Sequence, residues 1–134
     1  APIETTGQLV DIIKSTMPAA ARREDQHPAK RSFQALRIAV NSELDELQET
    51  LSAIPDLLRE GGRVAIISFH SLEDRMVKNI MKTGNVEGKL KQDFYGRIES
   101  PFKLVKNKPV TSDSEEMQRN PRSRSAKLRI AEKK

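Results

Sequence analysis

Gly61-Gly62-Arg63-Val64-Ala65-Ile66-Ile67-Ser68-Phe69-His70-Ser71-Leu72-Glu73-Asp74-Arg75-Met76-Val77-Lys78 is the stretch from which the fold is read. A two-glycine turn leads into an unbroken apolar run, and the run ends in small and polar residues. Val64 to Ile67 shows no polar alternation, which predicts a strand covered on both faces, as in a parallel sheet between helix layers. Ser71 is placed to cap the helix that follows. Glu73 and Asp74 then fall in its first turn, where the helix dipole favours acidic side chains. In open α/β sheets ligands sit outside the carboxyl ends of strands, and here that end reads Ser68-Phe69-His70-Ser71. Two readings of it stand side by side: a binding edge, or a turn in which His70 and Ser71 only cap a helix.

Upstream, Phe33, Leu36, Val40, Leu44, Leu47 and Leu51 recur at spacings of three or four. They predict one main helix, capped by Ser32 and lying on the sheet. Pro55 interrupts the pattern, and a short turn of helix, Asp56 to Glu60, is expected before the glycines. Arg37 and Asn41 share a side of the main helix. Asn41 is a poor helix former at an interior position, so it either makes a specific hydrogen bond or faces solvent. Nearer the start, Thr5 or Thr6 caps a short helix reaching about Thr16, with Leu9, Ile12 and Ile13 as its stripe, and Ala19 to Gln26 reads as a linker.

Downstream, a helix over Leu72 to Lys82 is stopped by Thr83-Gly84-Asn85. Val86 to Pro101 is poor in apolar residues and reads as a long flexible connection. Phe94 and Tyr95 in it either pack beneath the loop or stack on unpaired bases. Phe102 to Val110 reads as a strand near a sheet edge, because Pro109 would break a central one. Ser112 and Glu115 fit a capping box for a short helix ending at Asn120-Pro121. Arg122-Ser123-Arg124-Ser125 is a basic loop. Ala126 to Glu132 alternates, Leu128 and Ile130 against Lys127 and Arg129, as a half-exposed final strand does. The pattern is α/β, the second half of a doubly wound domain closed by an antiparallel strand. Its central strand expects neighbours on both sides.

With 36% hydrophobic and 32% charged residues, 134 residues suit one domain with a modest core. No run approaches the roughly 18 apolar residues of a membrane span, and Ala1-Pro2-Ile3-Glu4 does not read as a signal peptide. No cysteine and only two histidines, His27 and His70, argue against a disulfide framework and a zinc site. That fits a cytoplasmic protein. Residues 103–134 carry ten Lys/Arg against four Asp/Glu, whereas residues 1–102 are nearly balanced. The net charge of +5 therefore sits in the C-terminal quarter, where it can meet a polyanion or simply aid solubility.

Three separated blocks carry a resemblance to a known family. They are His27-Pro28-Ala29-Lys30-Arg31-Ser32-Phe33-Gln34-Ala35-Leu36-Arg37-Ile38-Ala39-Val40-Asn41, then Gly61 to Arg75, then Asn120-Pro121-Arg122-Ser123-Arg124-Ser125-Ala126-Lys127-Leu128-Arg129. In order and spacing they resemble the C-terminal part of the bacterial 16S rRNA cytosine-N4 methyltransferase family (RsmH/MraW). Residues 1–26 resemble the end of the helical domain inserted into that family's catalytic domain, and residues 27–134 the last part of the catalytic domain itself. The resemblance implies a Rossmann-like class I methyltransferase whose last strands are Val64–Phe69, Phe102–Val110 and Lys127–Glu132. It implies S-adenosylmethionine (S-adenosyl-L-methionine) as methyl donor and a cytidine of 16S rRNA, in the small ribosomal subunit, as acceptor. The family's glycine-rich cofactor loop, acidic ribose-binding residue and amine-handling motif lie upstream of Ala1. No G-x-G-x-x-G occurs here, and Gly61-Gly62 leads into a strand rather than opening a helix. The chain is thus expected to be a fragment, inactive alone, with no cofactor-binding residue of its own and the missing N-terminal half as a partner.

The cytosine amine is a weak nucleophile because its lone pair is delocalised into the ring. Its methylation needs acceptors for the N–H groups, a held base and an aligned donor. Candidates to line the base pocket are His70, Ser71, Glu73 and Asn41, although a carboxylate at a helix start also fits plain dipole stabilisation. Lys30, Arg31, Arg37, Arg122 and Arg124 are candidates for phosphate contacts, against a reading as solvated charge. Phe69 is the aromatic nearest to an extruded base, and a core position suits it too. Two other classes stay open: a non-catalytic RNA-binding module built on the basic C-terminal quarter, and a truncated fragment that dimerises through exposed strand edges.

Overall fold

The computed structural model describes residues 1–19, 21 and 27–134, so most of the linker read at Ala19–Gln26 lies outside the described residues. The chain divides into two compact units, Ala1–Glu43 and Leu44–Lys134.

The first unit holds α1 (Thr6–Thr16) and α2 (Lys30–Asn41). Thr5 caps α1 in a reciprocal box: its hydroxyl accepts from the Gln8 N–H, and the Gln8 side chain accepts from the Thr5 N–H. α2 starts before the expected Ser32 cap. Ala29 stands at the N-cap without a side-chain bond, and His27 Nδ1 accepts the Ala29 N–H at 3.2 Å. The single long helix expected through Leu51 is broken at Ser42, which adopts a left-handed φ of 51°. Asn41 and Ser42 are both residues whose side chains compete with helical hydrogen bonding, so the break falls where propensity is weakest. α3 (Glu43–Leu57) resumes the apolar period and runs two residues past Pro55 instead of stopping before it.

The second unit continues with β1 (Arg63–Ser68), α4 (Ser71–Thr83), β2 (Phe102–Leu104), β3 (Val110–Thr111), α5 (Ser114–Arg119), a 3-10 turn (Pro121–Ser125) and β4 (Lys127–Lys133). β4 is the middle strand. β1 pairs along one side of it, and β2 and β3 pair in tandem along the other, every pairing antiparallel. Two expectations are corrected here. The strand read over Phe102–Val110 is two short strands, because the segment before Pro109 leaves the ladder to which proline cannot donate. β1 is an edge strand rather than a central one, and no parallel neighbour stands beside it among the described residues.

Nor is β1 covered on both faces. In its register Val64, Ile66 and Ser68 lie beside Ala131, Arg129 and Lys127 on the face that meets α3 and α4. Leu51, Val77, Ile80, Met81, Phe102 and Ala131 form the buried core there. Ala65 and Ile67, beside Ile130 and Leu128, form the opposite face, where Ile67 remains 57% exposed. The apolar run is real, but nothing within the second unit covers its other side.

Gly84 closes α4 in a left-handed conformation with φ 80°, its N–H donating to the Ile80 carbonyl. A Cβ at this position would lie 2.6 Å from the Pro101 ring. Gly84→Ala is therefore expected to lose about 1–3 kcal/mol of stability, read as a lower urea midpoint at unchanged slope. An unmoved midpoint would show that Pro101 gives way freely.

Candidate functional site

The turn after β1 is organised by the start of α4. His70, not Ser71, is the N-cap residue: its backbone is extended and its Nδ1 accepts the Glu73 N–H at 3.3 Å. Accepting through Nδ1 leaves the imidazole proton on Nε2 when the ring is neutral. Glu73 folds back, with one carboxylate oxygen accepting the Phe69 N–H at 3.0 Å and the other lying 3.2 Å from His70 Nε2. That contact is misaligned for a hydrogen bond, and Nε2 is a buried atom without a hydrogen-bond partner. His70 and Glu73 thus brace the backbone that presents Phe69. Ser71 is the first residue of the helix.

Asp74 and Arg129 were not singled out as a pair by their sequence positions, 55 residues apart. The Arg129 guanidinium donates two hydrogen bonds to the Asp74 carboxylate, at 2.7 and 3.1 Å, and the side chains are 11% and 12% exposed. Lys127 Nζ lies 3.7 Å from the same carboxylate. Hydrogen bonds from Arg129 hold the Asp74 pKa below the usual carboxylate range. Burial opposes this, while the charges of Arg129, Lys127 and Lys78 add to it. The alternation read in β4 is correct in spacing, but the charged side of the strand is the one turned to α4. A basic strand can face the core because one acidic side chain neutralises it there.

On the opposite face lies a cleft of about 590 Å³. Its apolar lining includes Ile67, Phe69, Val110, Ala126 and Leu128, from β1, β3 and β4 and their ends. Its polar lining includes Ser112, Glu116, Asn120 and Arg122. The 3-10 turn is tied to this place by the Ser112 hydroxyl, which donates to the Ser123 carbonyl at 2.6 Å, and by the Ser123 hydroxyl, which donates to the Asn120 carbonyl at 2.8 Å. The helix cap belongs to Asp113, whose carboxylate accepts the Glu116 N–H, so the cap lies one residue after the expected Ser112, while the Glu116 carboxylate pairs with Arg119 instead of closing a capping box. An apolar floor with a few convergent polar groups and one cation is the make-up of a site for a flat, polar-edged ligand.

Within the second unit the expected site residues fall in separate places. Arg122 lines the cleft, whereas Arg124 borders a separate shallow groove with Met117, Gln118 and Pro121. His70, Ser71 and Glu73 lie beyond the end of β1 and do not line the cleft. In the first unit, Arg37 pairs with Glu43 through two contacts at 2.9 and 3.2 Å, and Asn41 Nδ2 lies 3.5 Å from the same carboxylate. Lys30 and Arg31 are exposed at the start of α2. Among the cleft residues that sequence reading missed, Val110, Thr111 and Glu116 come from elements too short to show a period.

Among the described residues, no helix is long and apolar enough to cross a membrane. The profile of the MraW methylase family matches residues 1–134. Relatives called "Ribosomal RNA small subunit methyltransferase H" include proteins of Bacteroides fragilis, 57% identical, and Bacteroides thetaiotaomicron, 55% identical, each over 132 residues. Another, from Citrifermentans bemidjiense, is 54% identical over 136 residues. The matches cover 98% of this chain but only 42–43% of the relatives.

Proposed function

The chain belongs to the MraW methylase family, and on that premise we propose that it is the substrate side of an S-adenosylmethionine-dependent enzyme methylating the N4 amine of a cytidine in 16S rRNA. The observation that carries this reading is the cleft at the carboxyl end of β1, with Phe69 and Ile67 in its apolar lining and Arg122 beside them. A cytosine ring would rest on the apolar floor, screened from water. The Arg122 guanidinium would meet the phosphate of the extruded nucleotide. Asn120, with both donor and acceptor atoms, suits the base edge. His70 and Glu73 serve as positioning residues, since Glu73 holds the Phe69 N–H and His70 holds Glu73 in turn. Lys30, Arg31 and Arg124 would add phosphate contacts of little sequence selectivity.

In this reading the described residues offer the methyl donor no glycine-rich cradle. The turns from β1 into α4 (Phe69-His70) and from β3 into α5 (Ser112-Asp113) contain no glycine that would let a helix start approach a cofactor closely. In this reading S-adenosylmethionine is held by the remainder of the enzyme. The free edge of β1 is where that remainder joins the sheet, completing the Rossmann-like order. Residues 1–26 then end a helical insert, residues 27–134 finish the catalytic domain, and the enzyme works in the cytoplasm.

Calorimetry with S-adenosylmethionine tests this division of labour. The 134-residue chain is expected to give no binding heat, while the chain joined to the remainder of the enzyme binds the cofactor and methylates 16S rRNA. Tight cofactor binding by the 134-residue chain alone would overturn the assignment.

A further inference from the structure

The segment read as a flexible connection contains a built hairpin. Gln92 and Ile98 form an antiparallel bridge, and the Glu99 N–H donates to the Lys91 carbonyl at 2.8 Å. Across the tip, the Asp93 N–H donates to the Arg97 carbonyl at 2.9 Å. One Asp93 carboxylate oxygen accepts the N–H groups of both Tyr95 and Arg97, at 2.9 and 2.8 Å. Gly96 supplies the positive φ that the turn requires. The base is clamped as well, because the Asn85 side chain bonds both the N–H and the carbonyl of Lys89, and Asn79 Nδ2 donates to the Val86 carbonyl.

This scaffold displays two aromatic rings away from the protein. Phe94 is 99% exposed and Tyr95 82%, so the expectation that they pack beneath the loop is overturned. Their centroids are 5.8 Å apart and their planes cross at 88°, an arrangement that leaves at least one face of each ring open. Large exposed rings held on a rigid turn mark a contact surface rather than a stabilising one. Lys91 and Arg97 flank the tip and are exposed, with Lys89 below them; Glu87 and Glu99 are exposed farther from the rings at the base, and Asp93, the acid nearest the rings, is used to build the turn. Open π-faces between cations are the make-up of a stacking platform for unpaired bases, with the cations drawn to the flanking phosphates.

We propose that the 91–98 hairpin is a second RNA contact, separate from the cleft, in which Phe94 and Tyr95 stack on unpaired bases of the rRNA substrate. The proposal rests on the RNA reading above and adds a site to it. A protein partner or a second copy of the chain would also cover exposed rings, but neither calls for the flanking cations.

Tyr95 is the only tyrosine, and there is no tryptophan, so intrinsic fluorescence reports on this tip alone. The full 134-residue chain is titrated with a short unpaired oligocytidylate and, separately, with a blunt RNA duplex, following both tyrosine fluorescence and the anisotropy of end-labelled RNA. The unpaired RNA is expected to quench Tyr95. Phe94→Ala with Tyr95→Ala is expected to weaken its binding roughly ten- to a hundredfold while changing duplex binding little. Both rings are exposed, so circular dichroism of the variant should match the parent. Binding of unpaired RNA without quenching, or unchanged affinity in the variant, overturns the hairpin contact while leaving the cleft reading intact. A tyrosine signal that changes with protein concentration alone would assign the tip to self-association instead. Failure of the chain to bind either RNA would remove the RNA reading together with the hairpin.

Discussion

Asp74→Asn is expected to cost the folded chain about 3–5 kcal/mol, although the two side chains have nearly the same shape. The loss comes from the partner left behind. Arg129 is 11% exposed and directs two donors at Asp74, so a neutral amide leaves a guanidinium charge in the interior without its counter-charge. Lys127, 3.7 Å from the same carboxylate, is stranded with it. Replacing both members, as Asp74→Leu with Arg129→Met, is expected to recover much of the loss, because desolvating the pair offsets most of its attraction. Urea unfolding of the two singles and the double measures the coupling between them. A single-variant loss below about 1 kcal/mol, the range of exposed pairs, would mean that the pair is solvated rather than interior.

The same pair gives the chain an acid-sensitive component of stability. The Asp74 pKa is lowered in the folded state, chiefly by hydrogen bonds from Arg129. Its contribution is therefore fully present above the unfolded carboxylate value, about 3.9, and is lost as pH falls through the lower folded value. Parent stability should drop across that acid window, and the profile of Asp74→Asn should be flatter there. Equal slopes for the two proteins would show that Asp74 does not drive the acid loss.

Much of the second unit was legible because its signals are local. The glycine pair, the apolar run and the stripe of α4 lie within 23 residues of one another, from Gly61 to Thr83, and periodicity reads such segments well. What failed to show depends on partners distant in the chain. Val64 to Ile67 looks like a strand covered on both faces, and α3 and α4 cover only one of them here. The composition of the run is the same for a strand covered on one face and on two, so it could not show which face stays open. The sequence places Arg129 on the polar side of a half-exposed final strand, because nothing near it in sequence announces that Asp74 neutralises it from α4. The Ser42 break escaped for a different reason: the apolar period carries on across it, so the stripe gave no sign of interruption. The hairpin at 91–98 is held by an aspartate turn rather than by alternating residues, and a low apolar content made it look unstructured.

Ile67→Asp should separate a substrate cleft from an ordinary surface more sharply than any loss of charge. Ile67 is 57% exposed and borders the cleft beside Phe69 and Leu128. In the 134-residue chain a carboxylate at this position stays hydrated, and the stability change is expected to be about 1 kcal/mol or less. In the complete enzyme a bound base would strip water from that carboxylate, and the approaching phosphate would repel it. Desolvating an unpaired charge costs several kcal/mol even after relaxation, so kcat/KM for 16S rRNA methylation is expected to fall at least about a hundredfold. Ile67→Val, which keeps the floor apolar, should retain most of the activity. Thermal unfolding of the complete enzyme decides what the loss means. An enzyme that keeps its midpoint but loses turnover has a nucleotide on this floor. An enzyme that unfolds early has protein packed there instead, and one that methylates normally uses the cleft for neither, so each of these last two results would overturn the cleft assignment.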